Sequence, residues 1–128
     1  MSALRSGTEL TGRILLMLLF LVSSVGKITN YDATAGYMTS MGVPGVLLPV
    51  VIAAELLGSL AIILGWHTRT VALLLAGFTL ASGVIFHNNF ADQIQAVMFL
   101  KNLSITGAFL MLAANGAGPL SMDARKAR

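Results

Sequence analysis

The 128-residue chain has no cysteine, five acidic residues, two histidines, one tryptophan and three prolines. Without cysteine, a disulfide relay, a thiolate metal site or an iron–sulfur cluster carried by this chain alone is excluded. Charged residues make up 10% of the chain, against about 25% in a soluble domain. Such a chain cannot cover itself with a water-facing surface. The net charge of +3 and isoelectric point near 9.8 do not point to nucleic acid, because the eight cations are scattered through apolar segments and form no stripe. A phosphate loop, a glycine-rich dinucleotide fingerprint and a nucleophile–base constellation are all missing.

What is present is apolar. Hydrophobic residues are 56% of the sequence and mean hydropathy is +0.85, so the chain reads as an integral membrane protein whose partner is the lipid bilayer. Its length allows one unit over residues 1–128. Four apolar runs cover about 10–28, 46–64, 70–86 and 96–114, each near the ~20 residues a helix needs to cross about 30 Å of hydrocarbon. They lack period-two alternation, and the backbone must satisfy itself in lipid, so the expected fold is all-α: a four-helix transmembrane bundle. The first run has the basic flank of a signal peptide but no small-residue cleavage site before Lys27, and is expected to stay as a span.

The linkers differ. Gly65–Arg69 reads as a tight hairpin with Trp66 at headgroup depth. The stretch from Thr29 to Pro44 has room for a short interfacial helix carrying Tyr37, Met38 and Met41, and Asn88–Gln95 is polar with Phe90 as an interface anchor. Residues after Gly116 read as a short basic tail. An even number of spans puts both termini and the hairpin on one side, where Arg5, Arg13, Arg69, Arg125, Lys126 and Arg128 outnumber Lys27 and Lys101 by six to two. The positive-inside rule then places both termini in the cytoplasm and, in a bacterium, the longer linkers in the periplasm.

Glu55 is the sole charged residue in its run. A carboxylate at bilayer depth costs about 3 kcal/mol or more, so it marks a functional site and faces a partner or a wet cavity. Helical spacing sorts the inward faces as Arg13, Met17, Phe20, Ser24 and Lys27 in span one, and Ala54, Gly58, Ala61 and Gly65 in span two with Glu55 beside them. Span three gives Arg69, Ala72, Ala76, Thr79, Gly83 and His87; span four gives Lys101, Ser104, Ala108, Met111 and Asn115. Small residues at this spacing let helices approach closely. By depth, Glu55 lies about 14 Å down span two. It forms the floor of a polar pocket in the outer half of the bundle, with Lys27, His87, Lys101 and Asn102 above it. Either lysine can reach it.

Each residue also has a structural reading. Glu55 with a lysine serves equally as an ion pair locking helix register. His87 reads first as an interfacial side chain and Asn102 as an interhelical hydrogen-bond donor, while Arg13 and Arg69 anchor topology or join Asn115 in a cluster at the cytoplasmic end. His67 and His87 lie about 30 Å apart along one helix, so they cannot share an iron, and no metal site is expected. No cofactor is expected to be carried by this chain. Redox chemistry would need a borrowed carrier, and a quinone suits one or two hydrogen-bonding groups in an apolar bundle.

The run Phe86-His87-Asn88-Asn89-Phe90, then Gln93, Gln95 and Phe99-Leu100-Lys101-Asn102-Leu103, resembles the DoxX-like family of small bacterial inner-membrane proteins. So do Glu55-Leu56-Leu57-Gly58 leading to Gly65 and Arg69, and Arg13-Ile14-Leu15 with Phe20 and Gly26-Lys27. Leu57 departs from the pattern, standing where a second glycine often precedes Gly58. The resemblance implies a four-helix bundle and marks Lys27, Glu55, Gly58, Arg69, His87, Lys101 and Asn102. It also implies a link to membrane oxidoreductases, thiosulfate:quinone oxidoreduction among them. The leading expectation is therefore a quinone-linked oxidoreductase subunit, with Glu55 relaying protons, Lys101, Asn102 or His87 holding a quinone carbonyl, and a protein partner supplying the redox centre. The alternatives are a non-enzymatic scaffold or assembly factor and, third, proton or small-solute transport through an oligomer.

Overall fold

A computed structural model describes residues 3–126; Arg128, counted above among the basic residues, lies outside the described residues. The chain forms α1 (Ala3–Thr29), α2 (Tyr31–Ser40), a 3-10 turn (Gly45–Leu47), α3 (Leu48–Leu64), α4 (Thr68–Phe86), α5 (Gln93–Asn115) and α6 (Met122–Lys126). Among the described residues there is no strand. Four helical segments are long and apolar enough to cross a membrane: Ala3–Thr29, Gly45–Leu64, Thr68–Phe86 and Gln93–Asn115. The fold is a four-helix membrane bundle.

Local chemistry sets the helix ends. Gly65 ends α3 in the left-handed region (φ 71°), with the Trp66 N–H bonded to the Ala61 carbonyl, and His67 follows at φ 47°. Glycine bears such a φ at least cost. Asp92 caps α5, its Oδ1 accepting the Ile94 N–H at 2.9 Å. The expected short helix between the first two spans is α2, with Met41 just past its end. Met38 is buried, and the Tyr37 ring stacks on Phe86 with centroids 5.5 Å apart, so α2 closes one end of the bundle. That end is the loop end; the opposite, terminal end carries the α3–α4 hairpin.

The long helices associate mainly as two pairs, α1 with α3 and α4 with α5, joined through the α3–α4 hairpin. The core binding the pairs together holds Met17, Phe20, Ile62, Leu75 and Phe109; the Phe20 and Phe109 rings meet at 5.5 Å. The face expected for α1 is the buried one, with Arg13, Met17, Phe20 and Ser24 inward. In α4, Ala72, Ala76, Thr79 and Gly83 are buried as expected, but Arg69 is exposed. The α3 face is only partly the expected one: Ala61 and Gly65 are buried, Ala54 and Gly58 half-buried, and the main buried row runs through Glu55. Leu48, Glu55, Ser59 and Ile62 are buried, so Glu55 sits on the inward row and Gly58 flanks it against Leu75.

The face read for span four is overturned. Thr106 and Phe109 are buried and Asn102 partly so, while Lys101, Ser104, Met111 and Asn115 are exposed. Burying the Phe109 ring against Phe20 and seating Asn102 against Gly83 fix the rotation of α5. The expected row, largely polar, offers less apolar contact area than an aromatic ring.

The tail is a structural element. Arg13 is 3% exposed, and its Nη1 donates to the Ile62 and Ile63 carbonyls at 3.0 and 2.9 Å while Nη2 donates to Leu120. The Ile63 carbonyl gains a partner at the end of α3, the Ile62 carbonyl is shared with the Gly65 N–H, and the Leu120 bond pulls the tail across the terminal end. Asp123 completes the clasp: its two oxygens accept the His67 and Thr68 N–H groups at 2.8 and 2.9 Å, at the start of α4. Burial pushes the Asp123 carboxyl up. The Thr68 hydroxyl, the Thr68 and His67 N–H groups and the charge of His67 together outweigh that and hold it below the ordinary carboxylate value. The alternative cluster of Arg13, Arg69 and Asn115 does not form; Arg13 bonds backbone carbonyls instead. Asn115 bonds the Met111 carbonyl of its own helix, and Arg69 reaches the Ala114 carbonyl.

Candidate functional site

Toward the loop end the two helix pairs part, leaving a cavity of about 400 Å³. This is within the ~300–1,000 Å³ usual for small-molecule sites. Phe20, Phe78 and Ile105 wall it deep in the bundle, and Tyr37, Met38 and Phe86 close it toward the loops. The expected pocket was polar; the observed walls are mostly apolar, with a few polar groups projecting in. Aromatic and aliphatic side chains from five helices, α1 to α5, line the cavity.

Lys27, Glu55, His87, Lys101 and Asn102 all line this cavity. Glu55 is 3% exposed, and its Oε1 lies 2.7 Å from Lys27 Nζ. The sequence leaves Lys27 and Lys101 as equal partners for Glu55; the structure selects Lys27. The ammonium approaches Oε1 outside hydrogen-bonding angles and donates to Ser23 Oγ at 2.6 Å. The contact is thus an ion pair oriented by a serine one turn back on α1. Lys101 lines the same cavity from an exposed position on α5, with no carboxylate beside it among the described residues.

Asn102 takes the interhelical role, donating from Nδ2 to the Thr79 carbonyl at 3.2 Å. This contact depends on Gly83, where a Cβ would lie 3.1 Å from the Asn102 Cβ. His87 stands at the end of α4 with Nδ1 2.9 Å from Gln95 Oε1, linking α4 to α5 at the cavity mouth. His67 is at the far end of α4.

Thr79 is the residue that sequence reasoning missed. The residue lines the cavity and is 3% exposed, and its buried hydroxyl has no hydrogen-bond partner. The signal was a hydroxyl residue among alanines and a glycine on the inward row of α4, read as packing alone. A buried hydroxyl without a partner loses about 1–3 kcal/mol of solvation, so a ligand polar group there recovers it. Ser23 and Tyr37 were likewise not singled out as site residues and line the wall.

The DoxX family profile matches residues 8–88, which takes in α1 to α4 and the Lys27–Glu55 pair. The chain is 52% identical over 114 residues to the inner membrane protein YqjF of Escherichia coli (strain K12), covering 89% of this chain and 88% of that protein. It is 37% identical over 123 residues to the inner membrane protein YphA of the same organism, covering 91% and 88%. No solved structure matches the chain. With the profile spanning more than half of its length and both relatives aligned over most of theirs, the chain belongs to the DoxX family.

Proposed function

We propose that the protein is a quinone-binding subunit of an oxidoreductase complex in the bacterial inner membrane, with both termini in the cytoplasm. The observation that carries this reading is one cavity combining an apolar wall, the ion pair of buried Glu55 with Lys27, and Thr79, whose hydroxyl has no partner. A flat, lipid-soluble ring with hydrogen-bonding carbonyls fits that donor set. Thr79, Lys27, Asn102 or His87 would hold the carbonyls, and Glu55 would carry protons between the site and Lys27. A bound quinone supplies two-electron, two-proton chemistry; the electrons come from a redox centre on a partner protein, since this chain has no cysteine and, among the described residues, no cluster of metal-binding side chains.

A quinone-analogue titration of the protein in nanodiscs tests this. Saturable binding that weakens, or loses its pH dependence, in Glu55→Gln supports it. A folded wild-type protein that binds no analogue refutes it.

One observation favours a second reading. The 2.7 Å ion pair joins α1 to α3, which is what a structural brace would do in a scaffold or assembly factor for other membrane proteins. On that reading Glu55→Gln lowers abundance, and any variant that folds keeps its function.

A further inference from the structure

Of the four sides of the bundle, α1 on α3 and α4 on α5 pack closely, and α3 meets α4 more sparsely, at their hairpin and where Gly58 faces Leu75. The fourth, between α5 and α1, has no such packing. Near the middle of the bundle Phe20 and Phe109 bridge that side. Closer to the loops, Leu19 and Ser23 of α1 and Met98, Lys101 and Ile105 of α5 line the cavity from either side of the gap. The cavity therefore borders the least packed seam of the bundle, and in a bilayer that seam faces acyl chains.

Charge within the cavity does not balance. Lys27 and Glu55 neutralise each other. Lys101 adds a cation that no carboxylate among the described residues answers. It stands eight residues into α5, about 12 Å along the helix, and exposed at the rim. A cation held at this depth beside an apolar cavity favours an occupant with one negative charge and one apolar tail.

We propose that the cavity is reached sideways from the lipid through the α1–α5 seam and binds a single-chain anionic amphiphile, its carboxylate at Lys101 and its chain among Phe20, Phe78 and Ile105. A long-chain fatty carboxylate is the ligand class. The inference uses the same cavity as the redox reading but goes beyond it, because it rests on Lys101 and the seam and not on Glu55.

The test uses the full chain in nanodiscs of zwitterionic lipid, with a palmitate carrying a diazirine in its chain as probe and hexadecanol or phosphatidylglycerol as competitors. Photolabelling is expected to saturate and to map to α1 and α5 at the seam. Unlabelled palmitate should compete far better than hexadecanol. Lys101→Met should weaken palmitate about tenfold or more, the scale of one charge-assisted hydrogen bond, and Lys101→Arg should restore it. Because Lys101 is exposed, neither variant threatens folding. Equal competition by acid and alcohol, no effect of Lys101→Met, or labelling spread over all lipid-facing surfaces overturns the proposal. Displacement of palmitate by phosphatidylglycerol at lower concentration also overturns it, reassigning Lys101 to a phospholipid headgroup. The quinone titration with Glu55→Gln is read separately, so either proposal can fail alone.

Discussion

Lys27 Nζ lies 2.7 Å from Glu55 Oε1, tying α1 to α3 inside an apolar cavity. The pair is lopsided: the lysine side chain is 25% exposed and the glutamate 4%. Removing the lysine strands a buried carboxylate, which costs about 3–5 kcal/mol. Removing the charge of Glu55 leaves a lysine that can snorkel outward. Lys27→Met is therefore expected to destabilise far more than Glu55→Gln, and the double variant to recover much of the loss. Unfolding in mixed micelles, arranged as a double-mutant cycle, measures this; strict additivity would dismiss the brace.

Arg13 spans three carbonyls, two at the end of α3 and one in the tail. Hydrogen bonds to a charged group contribute about 1.5–3 kcal/mol each. Arg13→Met is expected to cost several kcal/mol and to free the tail, and Arg13→Lys to recover only part, since a point charge cannot fork across the carbonyls. Trypsin cleavage after Arg125 should accelerate in Arg13→Met; an unchanged rate would show that the tail is held by other contacts.

Two glycines make way for neighbours. At Gly65 an added Cβ would lie 2.3 Å from the Ser121 Cβ, on a backbone with φ +71°. At Gly83 it would lie 3.1 Å from the Asn102 Cβ. Gly65→Ala should displace the tail, and Gly83→Leu should cost about 1–3 kcal/mol by overpacking α4 on α5. Gly77, inside α4 with nothing within 4 Å, is the control, and Gly77→Ala should cause no loss of stability in the same unfolding series, since alanine favours the helix.

Asp123 contributes a pH-dependent clasp. Its folded carboxyl titrates below the ordinary value, so its stabilisation is present above about pH 3.9 and is lost as pH falls through the lower folded value. Asp123→Ala removes the acceptor for the first N–H groups of α4 and should cost about 1 kcal/mol. Amide exchange at His67 and Thr68 should speed up in the variant at pH 7. In the wild type the same protection should fade only in strong acid; protection that fades between pH 5 and 7 would assign it to another group.

The membrane-embedded part of the site was legible because its signals are local. Glu55 stands out in any reading of an apolar run, and Lys27, His87, Lys101 and Asn102 follow from depth along their helices. The tail was not legible. Its basic composition resembles a solvated end, whereas its role depends on Leu120, Ser121 and Asp123 meeting Arg13, Gly65 and His67 across more than fifty residues of chain. Pairing at that separation leaves no periodic trace.

Hydropathy and helical period by themselves determined four membrane helices, an α-helical bundle and a charged residue that had to face inward. These are properties of single segments in lipid. Tertiary structure alone decided that Glu55 takes Lys27 and leaves Lys101 at the rim, that α5 turns Asn102 and Phe109 inward, and that the cavity walls are mostly apolar. A helix in lipid can rotate about its axis at little cost to its own hydropathy, so its rotation is fixed only by what the neighbouring helices press against it.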